Sequence, residues 1–188
     1  MNWATGAEQF TNALSSSDPT PGGGAAAAMA GAMGCALVMM AVATTLKRKN
    51  TPAQTRALLE QSLKKLGGLH SGLKSLIEQD AQAYNTYIVA SKMSKNDPTR
   101  PQVLEDALWF AATVPGDTAT ACLHVLKETA RIRPHIVSII LSDVECAQHL
   151  LKCAIACCVE NIRINLAGIT QPQRVEKLKQ LLETFGNL

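Results

Sequence analysis

The sequence predicts an all-α protein, an antiparallel up-and-down helical bundle, on three observations. Hydrophobic residues fill 47% of the 188 positions and aromatics only 4%, so the core must be built from Ala, Leu, Val, Ile and Met in number. Such a composition favours helices over sheets. Apolar residues also recur at spacings of three and four over long stretches, and proline and glycine gather at four points with helix-forming sequence between them. The length suits one domain, residues 1–188.

The elements follow in order. Phe10 and Leu14 suggest a short amphipathic helix from about Thr5 to Ser16, followed by the loop Asp18-Pro19-Thr20-Pro21-Gly22-Gly23-Gly24. Ala25 to Leu46 is then 22 residues without a charge, long enough to span a bilayer. Nine of those residues are Ala and two are Gly, which gain little on transfer to lipid. A helix surrounded on all sides by other helices explains the same absence of charge, so no membrane partner is expected.

From Pro52 to about Ser94, the residues Leu59, Leu63, Leu66, His70, Leu73, Ile77, Asp80 and Tyr84 form one inward-facing seam, with Gly67-Gly68 marking a kink or a close helix contact. After Asn96 to Pro101, a pair of helices broken at Val114-Pro115-Gly116-Asp117 is expected. Ser142 and Asp143 are capping candidates for a further helix whose seam runs through Val144, Ala147, Leu151, Ala154, Cys158, Asn161 and Asn165. A final amphipathic helix covers Pro172 to Phe185.

Several partner classes are disfavoured. A net charge of +3, with no Lys/Arg run interleaved with aromatics, gives no footprint for nucleic acid. The six cysteines form no CxxC pair and read as packed thiols in a reducing compartment. The four histidines show neither HExxH nor any paired ligand spacing, so no metal is expected. Met1 to Ser17 lacks a cationic stretch followed by an apolar block, which points to the cytoplasm.

The seams become informative where they carry a polar residue. Asp80 faces inward, where burial would raise its pKa toward a range suited to giving and taking protons; pairing with a cation, or a place at the bundle's wet mouth, is the alternative. Asn161 and Asn165, one turn apart, offer donors and acceptors to an amide-like heterocycle, or bond to each other and to backbone and fix helix register. The loop ending in Gly22, Gly23 and Gly24 feeds a helix N-terminus, a natural site for an anion or carboxylate, or simply a tight turn. Lys47, Arg48 and Lys49 are a solvated helix end or an attraction for an acidic ligand.

Taken in sequence order, these segments resemble the cyclodeaminase/cyclohydrolase family, which includes the C-terminal domain of formiminotransferase-cyclodeaminase and the stand-alone bacterial methenyltetrahydrofolate cyclohydrolases. The resemblance rests on Ser17-Asp18-Pro19-Thr20-Pro21-Gly22-Gly23-Gly24 with the Ala-rich stretch after it, on Asp80-Ala81-Gln82-Ala83-Tyr84, Val114-Pro115, Ser142-Asp143 and Asn161-Ile162-Arg163-Ile164-Asn165-Leu166. It covers nearly the whole chain.

The resemblance implies a homodimeric helical bundle acting on a tetrahydrofolate one-carbon derivative, at the carbon bridging N5 and N10, with no metal or redox cofactor. A non-catalytic folate- or small-ligand-binding relative is the alternative. Asp80 would be the catalytic carboxyl. Pro21, Gly22, Gly23, Gly24, Tyr84, Ser142, Asp143, Asn161 and Asn165 would bind substrate, and Lys47, Arg48 and Lys49 would attract its glutamate tail. Ala25 stands where relatives often place Ser, and Leu46-Lys47-Arg48-Lys49 where a Gly-Lys-Lys run is more usual.

Overall fold

Long runs of good helix formers interrupted only at the proline- and glycine-rich points give long helices joined by short connections. The computed structural model describes residues 2–186, in the order α1 (Trp3–Leu14), α2 (Gly23–Leu46), α3 (Ala53–Ser91), α4 (Arg100–Ile132), α5 (Leu141–Leu166) and α6 (Pro172–Phe185). Two short 3-10 turns lie between α4 and α5, and no strand occurs among the described residues. Helices α2 to α5 form a square, α2 packing on α3 and α5 and α4 on the same two, so the bundle is all-α and antiparallel as the seams predict.

The seam of α3 holds. Leu59, Leu66 and Leu73 are completely buried, and the half-buried Ile77, Asp80 and Tyr84 carry it out to one end of the bundle. On α5, Val144, Ala147, Leu151, Ala154 and Cys158 are buried and the seam ends at half-buried Asn161 and Asn165, at that same end. Small residues let α2 approach closely: a Cβ at Gly34 would stand 2.8 Å from Leu151 Cγ and 3.0 Å from the Ala147 carbonyl oxygen. Gly67 and Gly68 have no such role, because a Cβ at either would meet nothing within 4 Å, and α3 runs through them.

Three expectations are corrected. Pro115 does not break a helix pair: α4 continues from Arg100 to Ile132 with Pro115 inside it. Neither Ser142 nor Asp143 caps α5, which begins one residue earlier with Ile140 at the capping position, leaving Ser142 exposed and Asp143 in the first turn. Nor is α2 enclosed on every side. It passes the length and hydropathy test for a membrane span, but only 56% of its most apolar window is buried, because α3, α4 and α5 cover its inner side alone. The cysteines likewise divide, Cys35, Cys122 and Cys158 being buried and Cys146, Cys153 and Cys157 exposed on α5.

Helix α6 is latched by a buried carboxylate. Glu105 on α4 accepts hydrogen bonds from the amides of Thr170 and Gln171 and from Thr170 Oγ1, covering the open N–H groups where α6 begins. Burial pushes the Glu105 carboxyl up, but those hydrogen bonds outweigh it and hold the group below its ordinary range. Arg174 bonds the Glu105 carbonyl and Asp106, and with Lys177 lies over the Trp109 ring. Glu105→Gln would turn an amide N–H₂ toward these donors. The expected cost is about 2 kcal/mol, read as a lower urea midpoint at unchanged slope.

Candidate active site

The two seams and the glycine loop converge on one cavity of about 270 Å³ at the α2 N-terminal end of the bundle. Thr20, Gly22, Gly23 and Gly24 form one wall, Asp80, Tyr84 and Tyr87 of α3 another, and Ala111 of α4 with Asn161, Ile164 and Asn165 of α5 the remainder. Tyr87 was not singled out by sequence, although the alternation of four and three that places Asp80 and Tyr84 on one face reaches it at the next step.

Asp80 is held from α2. Its Oδ2 accepts the Ala25 amide at 2.8 Å, in the first turn of a helix whose N–H groups lack internal partners. Thus the position where a hydroxyl is absent contributes through its backbone. Gly24 is required by the same contact, since a Cβ there would fall 2.0 Å from Asp80 Oδ1 and 2.6 Å from Cγ. Burial raises the Asp80 pKa above the ordinary carboxylate value, and the Ala25 hydrogen bond offsets part of the rise. Asp80 combines parts of both readings: burial raises its pKa, as the first had it, while it lines an open cavity at the end of the bundle, as the second had it, and it forms no ion pair among the described residues.

Pro115 and the asparagines belong together. A proline inside a helix cannot donate to the carbonyl four residues earlier, which here is Ala111, and that carbonyl accepts Asn165 Nδ2 from α5 at 3.0 Å. The second Nδ2 hydrogen of Asn165 goes to the Asn161 carbonyl at 2.8 Å, so both its donors are used and Oδ1 is its remaining polar atom on the cavity wall. Asn161 Nδ2 donates once, to the Cys157 carbonyl at 2.8 Å, keeping one donor and one acceptor free for a ligand. The amides therefore bond to backbone, the second of the two possibilities the sequence left open, and both side chains also line the cavity.

The other candidates lie elsewhere. Pro21 follows a cis peptide in the loop and does not line the cavity. Lys47, Arg48 and Lys49 are exposed beyond the C-terminal end of α2, about 36 Å along its axis from Gly23. Ser142 and Asp143 open α5, about 28 Å along its axis from Asn161. Within one chain, then, these five residues share the opposite end of the bundle. Among the described residues no three His, Cys, Asp or Glu side chains are grouped so as to hold a metal ion.

A family model described as formiminotransferase-cyclodeaminase matches residues 6–184. The chain belongs to this family. A methenyltetrahydrofolate cyclohydrolase of Methylorubrum extorquens is 31% identical over 96% of the chain and 90% of its own length. Another member, the formimidoyltransferase-cyclodeaminase of Sus scrofa, is 26% identical over 95% of the chain, which spans 35% of that longer protein. The family fold recurs in a crystal structure of formiminotetrahydrofolate cyclodeaminase from Thermotoga maritima, with a TM-score of 0.85 at 24% identity over 100% of this chain and 89% of that one.

Proposed function

We propose that the chain hydrolyses 5,10-methenyltetrahydrofolate, with Asp80 as the acid and base. The observation that carries the reading is Asp80 itself, a partly desolvated carboxyl pinned by the Ala25 amide at a cavity whose other polar side chains are those of Thr20, Tyr84, Tyr87, Asn161 and Asn165. Its raised pKa suits a group that must accept a proton and return it. A cavity of about 270 Å³ accommodates a bicyclic ring, with the rest of a longer ligand leaving by the mouth. Gly22, Gly23, Gly24, Tyr84, Asn161 and Asn165 surround that ring.

Water adds to the cationic carbon between N5 and N10, and one of its protons passes to Asp80. The tetrahedral carbon then collapses: Asp80 returns that proton to the departing ring nitrogen, the carbon–nitrogen bond breaks, and the hydroxyl proton leaves to solvent. One proton is released overall, and a formyl group remains on the other nitrogen. An ionised Asp80 beside the cation favours its binding, and the cation in turn lowers the carboxyl's pKa toward the ionised form needed to accept the proton.

Cyclodeamination is the second reading, in which N10 attacks a formimino carbon and Asp80 protonates the leaving ammonia. The cyclohydrolase reading is favoured by the 31% identity to the Methylorubrum extorquens cyclohydrolase, against 26% for the Sus scrofa formimidoyltransferase-cyclodeaminase and 24% for the Thermotoga maritima cyclodeaminase; length does not separate the two readings, because the chain covers 90% of the first and 89% of the last. Both reactions consist of addition and proton transfer, which need no metal or redox cofactor. The proposed setting is the cytoplasm, where the free thiols persist, as a homodimer without nucleic-acid or membrane partners.

The test is a near-ultraviolet assay with 5,10-methenyltetrahydrofolate and, separately, 5-formiminotetrahydrofolate. Loss of the methenyl absorbance faster than the uncatalysed rate is expected. Gain of absorbance with ammonia release from the second compound would make the chain a cyclodeaminase. No acceleration of either, with folate still bound, would make it a binding protein.

A further inference from the structure

Two exposed thiols stand one turn apart on the outer face of α5. Cys153 and Cys157 are four residues apart in that helix, so their side chains share one face, and both are open to solvent. They also interact: the Cys157 thiol is hydrogen-bonded to Cys153, and desolvation together with that neighbour pushes it above its ordinary value. Neither thiol lines the cavity. The pair sits inside an unbroken helix, Leu141–Leu166, whose geometry sets the two Cβ atoms about 5–6 Å apart.

That separation decides what the pair can hold. A disulfide draws its Cβ atoms to about 3.5–4.5 Å, so joining Cys153 to Cys157 directly would have to deform the turn between them. A metal ion between the sulfurs lengthens the bridge, because two metal–sulfur bonds of about 2.3 Å replace one sulfur–sulfur bond of about 2 Å. The helix accepts the longer bridge as it stands. The number of ligands then narrows the ion. Zinc is held by at least three protein side chains, and among the described residues no third His, Cys, Asp or Glu is grouped with the pair. Cys146 lies about 10 Å further back along the axis, and His149, one turn before Cys153, is not grouped with the thiols either. Cu(I) is the soft ion that thiolates select and that two sulfurs in a line satisfy.

We propose that Cys153 and Cys157 form a binding site for one Cu(I) ion, held by both sulfurs on the outer face of α5. Each thiol gives up its proton and its sulfur donates an electron pair to the ion, so one Cu⁺ enters, two H⁺ leave and an anionic bis-thiolate complex remains. No oxidant or reductant takes part. The site is separate from the cavity but adjoins it: the Cys157 carbonyl accepts Asn161 Nδ2 at 2.8 Å, and Asn161 lines the cavity one turn further on. The thiols and their spacing belong to α5 alone, so the site does not depend on the folate reading.

The test uses the full chain, reduced and kept free of oxygen, with Cu(I) supplied as its coloured bicinchoninate complex. One copper per chain is expected to pass to the protein, with two protons released for each. Cys153→Ser and Cys157→Ser are each expected to weaken the uptake by about a hundredfold or more, as loss of a ligand should. Cys146→Ser is expected to leave it unchanged. All three positions are exposed, so the variants should keep the helical circular dichroism of the parent chain. Alkylation by iodoacetamide, read peptide by peptide, is expected to spare Cys153 and Cys157 in the copper-loaded protein while Cys146 still reacts. Full retention of copper by either Ser variant, equal alkylation of the pair with and without copper, or zinc taken up in preference to copper overturns the site. A Cys153–Cys157 disulfide formed by diamide with no loss of helix overturns the choice of a metal over a disulfide. None of these readouts depends on turnover.

Discussion

Asp80→Asn is expected to lower turnover of 5,10-methenyltetrahydrofolate by about 10³-fold, within the range by which a positioned acid–base group accelerates a reaction. Ligand affinity should fall much less, because Asn has nearly the same shape and its carbonyl oxygen can still accept the Ala25 amide. The same substitution should stabilise the protein at neutral pH. Burial raises the folded-state pKa of Asp80 from its ordinary value of 3.8, so between the unfolded and folded values the native state binds the extra proton. Stability therefore falls as pH rises through that window and stays lower above the folded pKa, the cost of keeping a charge there. Thermal melts of wild type and Asp80→Asn should nearly coincide below pH of about 4 and separate in favour of the variant as the pH rises. Equal melting at every pH would show that the carboxylate pays nothing for its position.

Gly24→Ala is expected to cost activity nearly as severely by a different route. The new Cβ would fall 2.0 Å from Asp80 Oδ1, so the carboxylate has to swing away and release the Ala25 amide. Activity should drop by about 10²-fold or more, as for a misplaced catalytic group. Stability should fall by about 1–3 kcal/mol from overpacking, partly offset by the helix preference of Ala over Gly. Gly23→Ala is the control. Its Cβ would meet Asn161 Nδ2 at 3.6 Å, an ordinary contact, so urea unfolding should show no loss of stability. Similar destabilisation by both variants would contradict the close approach of Gly24 to Asp80.

What was legible in the sequence was periodic. The seams of α3 and α5 have a spacing that only a helix satisfies, and each reaches the cavity at a polar residue, Asp80 or Asn161, where an apolar one would have continued the core. Tyr87 obeys the same spacing and was within reach of that argument. Pro115 was misread because proline breaks helices by local rules, whereas the repair is distant in sequence, an amide on α5 supplying the donor that α4 lacks. Ser142, Asp143 and Lys47 to Lys49 were grouped with the cavity through resemblance, although the helix rise along Ala25 to Leu46 and from Ser142 to Asn161 already sets them at the far end of one chain. The open face of α2 was hidden for another reason: an uncharged helix looks the same in sequence whether its outer side meets its own bundle or another molecule.

The saturation of Asn165 has a consequence for discrimination between ligands. With both hydrogens committed to the Ala111 and Asn161 carbonyls, its Oδ1 presents lone pairs only. A ring edge bearing N–H finds a partner there, while an isostere with a bare nitrogen at that place sets lone pair against lone pair and leaves Oδ1 unmatched. Such a mismatch costs about 1–3 kcal/mol, or one to two orders of magnitude in binding. The Asn165 amide cannot rotate to suit the wrong ring without abandoning the carbonyl that Pro115 leaves open, so the proline in α4 helps set which heterocycle is admitted.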